Sequence, residues 1–481
     1  MKQAHSCPLT VQFTHVLEAA LTRVFPRADG VLRRMAVAFS GGLDSTVLLH
    51  LAHDYARQRC LELFAFHVHH GLQPAAEEWL QHCEAYCAHL GVPCVATRLQ
   101  LNSADQDGVE GAARRERYRA LAHLCRQKEV GVLLTAHHED DQVETVLLQL
   151  LRGAGLAGLS GMAVQGDTPC VEAASALPLV RPLLFASRGM LKQWAEQHHL
   201  RYVTDASNSD TRHARSALRT TILPHLSARF PGFEKGVTRF ARHAATAQYL
   251  LNTLAIADYQ ACSLDGALDV QQIADLDVRR ADNLLRYWLS CHGVRMPSER
   301  YLEEIRSQLL QSGASAQPEL FLESRIIRRF RNRLYCLHEE DVPRDKPRAD
   351  DVLFPFVWAG EERIRLEAFG GVLSFFPSAK GVSTHWLRGR PLQLGHYRGS
   401  LRFRVAANRP AKRLKQLCQE REITVWARRR LPLLYEGDRL VFVGGIGLSA
   451  EYADTGSDCL EISWLPDAAL PAFPDFGGQA C

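Results

Sequence analysis

No stretch of eighteen consecutive apolar residues occurs in this sequence, so no helix of it is expected to span a bilayer. The opening residues Met1 to Thr10 lack the charged-then-apolar pattern of a secretory signal, and the cytoplasm is the expected compartment. The thirteen cysteines include no C-x-x-C pair, and the closest two, Cys83 and Cys87, are one helical turn apart. That spacing argues against a zinc ribbon, an iron–sulfur site or a disulfide scaffold and favours reduced, mostly buried thiols. The lysine-bearing phosphate loop G-x-x-x-x-G-K-S/T is absent too, which removes the Walker type of nucleotide site. Internal repeats are lacking, and low complexity is confined to Ala154 to Ala176. Excess charge is small overall, at +4. It is concentrated: Leu401 to Leu440 holds eleven Lys or Arg against four Asp or Glu. A solvated basic face explains such a bias, and a polyanionic partner is the functional alternative.

What is present is enough apolar sequence, 46% of 481 residues, for two to four domains with their own cores. The most informative stretch is Met35 to Leu51. Met35 to Phe39 reads as a buried parallel strand and Thr46 to Leu51 as the start of a helix. Between them stands Ser40-Gly41-Gly42-Leu43-Asp44-Ser45. Two glycines allow a sharp turn and close approach to a ligand, and the unpaired N–H groups at the helix start attract an anion. Ser40 and Ser45 add hydroxyl donors. Asp44 suits a phosphate-bound Mg²⁺ better than a phosphate itself.

Strand-like and helix-like runs then alternate: Leu61 to Val68, Pro74 to Leu90, Val92 to Leu99, Val109 to Lys128, Val130 to Ala136 and Asp140 to Leu151. Continuous apolar strands between helices predict an α/β fold with a doubly wound parallel sheet, whose ligands sit at the carboxyl ends of the strands. A loop is expected from Ala154 to Pro178, then a helix from Ser187 to His198. The expected layout is a catalytic domain over residues 1–232 and a mainly helical domain over 233–340, closed by a strand-like Ile326 to Leu337. A linker and strand-rich segment over 341–394 and a basic, small α+β domain over 395–481 follow.

Four clusters carry candidate chemistry. His67-Val68-His69-His70 ends the second strand, beside the expected nucleotide, where His67 is placed at the adenine or ribose. Glu110 to Tyr118 opens a helix with Arg114 and Arg117 three apart on one face, suited to phosphate or to a surface salt-bridge ladder. His137-His138-Glu139-Asp140-Asp141-Gln142-Val143-Glu144 follows a strand and opens a helix, with Asp141 and Glu144 on one face for a metal or a cationic substrate. Asp205 to Asp210, then Arg215 and Arg219 at i, i+4, combine a turn with basic residues that suit a capped helix or a nucleic-acid backbone. The G-x-G-x-x-G match at Gly153 to Gly158 follows a helix rather than a strand and is read as a loop.

The hexapeptide Ser40 to Ser45 resembles the pyrophosphate-binding loop of the N-type ATP pyrophosphatases. The whole series is similar to the tRNA(Ile)-lysidine synthetase family: S-G-G-L-D-S at 40–45, H-V-H-H-G-L at 67–72, E-G-A-A-R-R-E-R-Y at 110–118 and A-H-H-E-D-D-Q-V-E-T at 136–145. It continues with R-P-L-L at 181–184, D-A-S-N-S-D at 205–210, N-L-L-R-Y-W-L at 283–289, K-R-L-K-Q-L-C-Q at 412–419 and W-A-R-R-R-L-P-L-L at 426–434. The resemblance implies ATP-dependent ligation of free L-lysine to the wobble cytidine of an isoleucine tRNA with a CAU anticodon, through an adenylated base, releasing pyrophosphate and AMP. It implies ATP at Ser40, Gly41, Gly42, Leu43, Asp44, Ser45 and His67, with Mg²⁺ on Asp44. Arg114 would neutralise phosphate or polarise the base, and Asp141 and Glu144 would hold the lysine ammonium or the metal. Arg215, Arg219, Arg402, Lys412, Lys415, Arg428, Arg429 and Arg430 would grip the tRNA. The oligomeric state is left open, a homodimer included. Two other classes compete. A related thiolase or ammonia-using synthetase would bring C-x-x-C pairs or a glutaminase, neither of which is here, and a non-catalytic RNA-binding protein would have no use for Asp44, Asp141 and Glu144 together.

Overall fold

The computed structural model describes residues 7–25, 32–69, 76–99, 108–169, 177–204, 214–264, 266–294, 297–311, 318–322, 324–339 and 353–467. His70 to Leu72, the Asp205 to Asp210 turn and the Asp341 to Asp351 linker lie outside these residues. The chain divides into two compact units, one ending its main segment at Leu250 and one running Leu251–Asp475. No described helix is long and apolar enough to cross a membrane.

The first unit opens with α1 (Pro8–Val24), then β1 (Arg34–Ala38), α2 (Leu43–Arg59), β2 (Glu62–His69), α3 (Ala76–Leu90), β3 (Cys94–Arg98), α4 (Gly108–Gln127), β4 (Val132–Leu134) and α5 (Glu139–Leu151). It continues with α6 (Leu156–Leu159), β5 (Gln165–Asp167), β6 (Pro178–Val180), α7 (Arg188–Gln197), α8 (Ala214–Ala217) and α9 (Leu223–Arg229). Its sheet has the order β3-β2-β1-β4-β6-β5. All neighbours pair in parallel except β5, which runs antiparallel to β6 at the edge. The expected loop from Ala154 to Pro178 therefore contains a short edge strand, too brief and polar to show a period.

Alternation along β1 sorts the two faces. Met35 and Val37 join a core with Phe13 of α1, Leu48 of α2, Cys83 of α3 and Trp194 of α7, while Ala36 joins Phe66, Tyr118 and Leu121 on the α4 side. Helices thus cover both faces, which is why the strands read as unbroken apolar runs. The order of strands reverses between β1 and β4, with Val37 opposite Leu134. The crevice at that reversal is the place where a doubly wound sheet takes its ligand.

Helix α10 (Phe233–Cys262) contains the division between the units. The second unit has β7 (Ser263–Leu264), β8 (Ala267–Asp269), α11 (Val270–Ala274), α12 (Val278–Cys291), α13 (Glu299–Glu304), β9 (Glu319–Leu322), β10 (Arg325–Phe330) and β11 (Arg333–His338). The amphipathic stripe expected around Asn283 to Leu289 is α12, whose Leu284, Leu285, Trp288 and Leu289 are buried and whose Asp277 caps the N-terminus. Two sequence expectations change here. The helical reading of Val237 to Leu310 missed the β7–β8 hairpin, and Ile326 to Leu337 is two antiparallel strands joined at Arg331, which takes a left-handed φ of 55°.

Next come β12 (Phe354–Phe356), β13 (Arg363–Leu366), β14 (Gly371–Ser383), α14 (Thr384–Leu387), β15 (Leu392–Gly395), β16 (Arg402–Phe403), β17 (Lys412–Arg413), α15 (Leu414–Glu420) and α16 (Val425–Arg428). The last described strands are β18 (Leu433–Glu436), β19 (Arg439–Val443), β20 (Gly447–Leu448) and β21 (Asp454–Pro466). Antiparallel sheets β12-β15-β18-β19-β20 and β13-β14-β21 share one core with Leu414 and Leu417 of α15.

Leu48 is fully buried between α2 and the sheet. Leu48→Ala is expected to destabilise the first unit by about 2–5 kcal/mol, read from the urea midpoint of the transition that reports that unit.

Candidate active site

The Ser40 to Ser45 loop leaves the carboxyl end of β1, and its shape is set by contacts beneath it. Phe39 N–H donates to the Phe66 carbonyl at 2.9 Å, holding the strand end to β2. Gly41 takes φ +79°, and a Cβ there would lie 2.8 Å from the Cys83 sulfur of α3. The Val203 N–H donates to the Gly41 carbonyl at 2.9 Å, fixing the other side of the turn. The Ser40 and Ser45 hydroxyls stand 3.0 Å apart, and Ser45 Oγ donates to the Gly42 carbonyl at 3.1 Å. Helical bonding starts with Thr46 N–H to Gly42 O, so the N–H groups of Leu43, Asp44 and Ser45 precede the first intrahelical bond of α2. The loop thus brings together unbonded backbone N–H groups and two hydroxyls at the end of β1, the groups from which an anion site can be built.

Beside it, β4 ends and α5 begins with the acidic motif. His138 is buried, with Nε2 3.5 Å from both Asp44 Oδ2 and Asp141 Oδ2 and Nδ1 3.7 Å from Asp140 Oδ1. Burial works against its charge, but the three carboxylates outweigh it and hold its pKa up at about 10. Asp140 responds in the opposite sense: burial raises its pKa, yet His138 and the Arg188 N–H at 3.0 Å bring it below the usual carboxylate value. Asp141 Oδ2 accepts from the His138 backbone N–H at 3.1 Å, closing the first turn of α5.

Glu144 has no solvent exposure. It is gripped by Arg219 in bidentate fashion, at 2.6 and 3.0 Å, and by Arg215 Nε at 3.1 Å. Arg219 also reaches Asp141 at 3.4 Å, and Arg215 Nη2 donates to Thr145 Oγ1 at 2.7 Å. The geometry differs here from the expectation that Asp141 and Glu144 stand free for lysine or a metal and that Arg215 and Arg219 face a nucleic-acid backbone. The four groups neutralise one another, because a carboxylate with no access to water is very costly without a counter-charge.

An open cavity of about 280 Å³ joins the loop to the end of β4. Ser40, Gly42, Asp44 and Ser45 form one side, Phe66, Val68 and Leu121 an apolar wall, and Arg117, Tyr118, Thr135 and His137 the remainder. Two expectations shift. His67 lies on the opposite face of β2 from Phe66 and Val68, buried, with Nδ1 3.0 Å from the Phe39 carbonyl. It supports the strand end that carries the loop and does not line the cavity, since side chains alternate along a strand. Arg117 rather than Arg114 lines the cavity, while Arg114 lies against the Tyr118 ring at 5.4 Å. His137 and Thr135 were not singled out, yet His137 Nδ1 lies 2.9 Å from Thr135 Oγ1. Burial above all lowers the His137 pKa to about 3; Asp141 opposes this and the charges of Arg181, Arg117 and Arg114 add to it. Its place directly after the fourth strand was legible, but nothing in the pattern assigned it a role apart from the acidic motif it begins.

In the second unit Arg402, Lys415 and Arg429 are exposed, and Lys412 and Arg430 are half-buried. Lys412 Nζ pairs with Glu420 at 2.6 Å. Arg428 differs from the expectation of a surface contact: it is buried, with Nε donating to the Ile423 carbonyl at 3.0 Å.

Family models match three parts of this chain. A PP-loop domain model matches residues 13–226, a TilS substrate binding domain model residues 268–335, and a TilS substrate C-terminal domain model residues 392–464. A tRNA(Ile)-lysidine synthase of Ralstonia nicotianae is 39% identical over 91% of this chain and 94% of its own. One of Nitrosomonas europaea is 35% identical over 90% of this chain and 92% of its own. Among solved structures, the U34-tRNA thiolase NcsA of Methanococcus maripaludis aligns with 48% of this chain and 80% of its own at 16% identity and a TM-score of 0.37.

Gly41→Ala is expected to cost about 1–2 kcal/mol from the left-handed backbone alone, with more from the contact at Cys83, and to weaken ATP binding. Thermal unfolding and ATP titration check both. For His137 the folded pKa of about 3 lies below the ordinary 6.5. Between these values the unfolded chain binds a proton that the folded chain does not, so stability falls as pH drops from 6.5 towards 3. His137→Gln should remove that part of the acid-side fall in melting temperature, and the His137 ring should stay neutral by NMR at pH 5.

Proposed function

The chain belongs to the tRNA(Ile)-lysidine synthase family, and on that premise we propose that it is an ATP-dependent carbon–nitrogen ligase, acting in the cytoplasm on the wobble cytidine of an isoleucine tRNA with a CAU anticodon. In the first step the position-2 carbonyl oxygen of the base attacks the α-phosphorus of ATP and pyrophosphate leaves. In the second, the ε-amine of free lysine adds to the same carbon, loses a proton, and AMP departs with the oxygen. The product is lysidine, and the codon read changes from AUG to AUA. The observation that carries this reading is one cavity joining the anion cradle at Ser40 to Ser45 to the end of β4, with Asp44 on its wall and His138 linking Asp44 to Asp141 beside it.

The residues supply what the steps require. Charge grows on the departing pyrophosphate, and preorganised N–H groups at the start of α2 with the Ser40 and Ser45 hydroxyls stabilise it without reorganisation. Mg²⁺, when bound, adds charge neutralisation on the phosphates. Asp44 suits it, because its Oδ1 is buried without a hydrogen-bond partner. No cluster of three metal-ligating side chains exists among the described residues, so substrate phosphates and water would fill the other positions, as is usual for this ion. Of the two acids, Asp141 is the one a lysine ammonium would meet, with Glu144 sealed behind it under Arg219 and Arg215 and holding those guanidinium groups in place. Arg114 stands behind the cavity wall as part of the surrounding positive charge.

The apolar wall and the size of the cavity suit one base taken out of its stack, as in enzymes that modify a nucleotide in a loop. Residues 233–340 and 395–481, joined through 341–394, would hold the tRNA, with residues 1–232 as the catalytic domain. Arg402, Lys412, Lys415, Arg429 and Arg430 would contact its phosphates, which would make affinity fall with salt. The buried Arg428 would act by holding their segment in shape, and Arg215 and Arg219 by setting the acids.

Purified protein with ATP, Mg²⁺ and labelled lysine is expected to label the CAU isoleucine tRNA and leave methionine tRNA unlabelled. Labelling that needed cysteine or ammonia instead would overturn the assignment. Asp44→Ala should lower AMP formation by about 100-fold or more while tRNA binding persists.

A further inference from the structure

The arginines of the first unit fall into two groups. Arg215 and Arg219 are spent on Glu144 and Asp141. Arg114, Arg117 and Arg181 gather instead around one tyrosine. The guanidinium carbons of Arg114 and Arg117 each lie 5.4 Å from the Tyr118 ring centroid. Arg181 is buried, gives Nη1 to the Ala163 carbonyl at 2.8 Å, and leaves Nε without a partner. Tyr118 is itself 1% exposed and lines the cavity, with its hydroxyl close to Arg117 and Arg181 but without an aligned hydrogen bond. Among the described residues no carboxylate pairs with any of these three arginines.

A group of cations lacking a carboxylate, with an unpartnered buried hydroxyl and an unpartnered buried N–H, is electrically incomplete. His137 on the same wall is kept neutral, by burial first and by these cations in addition, and so offers no counter-charge. An anionic ligand would supply the charge that the described residues do not, and a planar guanidinium with spare donors is matched by a phosphate.

We propose that Arg117 and the Tyr118 hydroxyl form a second anion seat across the cavity from the Ser40 to Ser45 cradle, taking a phosphate group distinct from the leaving pyrophosphate, with Arg114 and Arg181 as positioning residues. The inference rests on the reading above in that the reaction offers two such phosphates. One is the α-phosphate that stays with the adenylate, and the other is a phosphodiester beside the reacting nucleotide of the RNA. The seat would hold that phosphate while pyrophosphate is drawn to the opposite side, fixing the direction in which the two groups separate.

Titrations of the full-length protein and of Arg117→Gln, Arg117→Lys and Tyr118→Phe with AMP, adenosine and an isolated CAU anticodon stem-loop test this without requiring turnover, so they read out even if lysine incorporation fails. Loss of one charge-assisted contact predicts about a 10- to 100-fold weaker Kd for Arg117→Gln, with Arg117→Lys recovering part of it and Tyr118→Phe showing a smaller loss. If AMP weakens while adenosine and the stem-loop do not, the seat takes the nucleotide phosphate. If the stem-loop weakens, with its log Kd against log salt slope reduced by about one, and AMP does not, the seat takes the RNA phosphodiester. Unchanged affinity for AMP and the stem-loop in Arg117→Gln would overturn the proposal. So would an equal loss for adenosine, which has no phosphate, because the arginine would then only shape the pocket.

Discussion

A carboxylate sealed from water decides how the first unit is arranged. Glu144 has no exposure, so its charge survives only because Arg219 and Arg215 meet both of its oxygens. That requirement draws the segment after residue 213 against α5, and through Arg219 it reaches Asp141. Asp141 shares His138 with Asp44 of the Ser40 to Ser45 loop. An acid on one helix, arginines far along the chain and the loop at the first strand are thereby one electrostatic assembly. Removing a member leaves an uncompensated buried charge, which is more damaging than never having had the pair.

The parts of this assembly that follow local rules were legible in the sequence. Ser40 to Ser45 needed only a strand before it and a helix after it, and the Gly41 backbone required a residue without a Cβ. The parallel sheet followed from apolar strands alternating with helices, and α12 from its own stripe. What depended on long-range partners was not legible. The face taken by His67 is set by the pairing register of β2 with β1, which places Phe66 and Val68 in the cavity and turns His67 towards Phe39. Arg215 and Arg219 read as free basic residues because their acids stand about 70 positions earlier. Arg428 read as one of three consecutive arginines, while the α16 turn takes that position inward to Ile423. The short strands β5, β7 and β8 owe their existence to a neighbouring strand rather than to their composition.

Two opposite treatments of arginine appear within one unit. Where acids are at hand the guanidinium groups are consumed, and the surface they leave is neutral. Around Tyr118 no acid among the described residues pairs with them, and burial, with their charges added, suppresses protonation of His137. A donor that stays neutral over the physiological range can offer the same hydrogen bond at every pH at which the cell operates, which a typical histidine cannot.

The sulfur of Cys83 under Gly41 has a further consequence. The cradle is a mould whose floor is made by α3, with the Cys83 sulfur nearest to Gly41 and the His82 ring beside it. Sulfur is soft and yields slightly under load, so the loop can settle on a bound anion without opening the core below. A residue with a branched or longer side chain at that position would raise the floor of the mould, and the fit of the phosphate would change although every residue touching it remained the same.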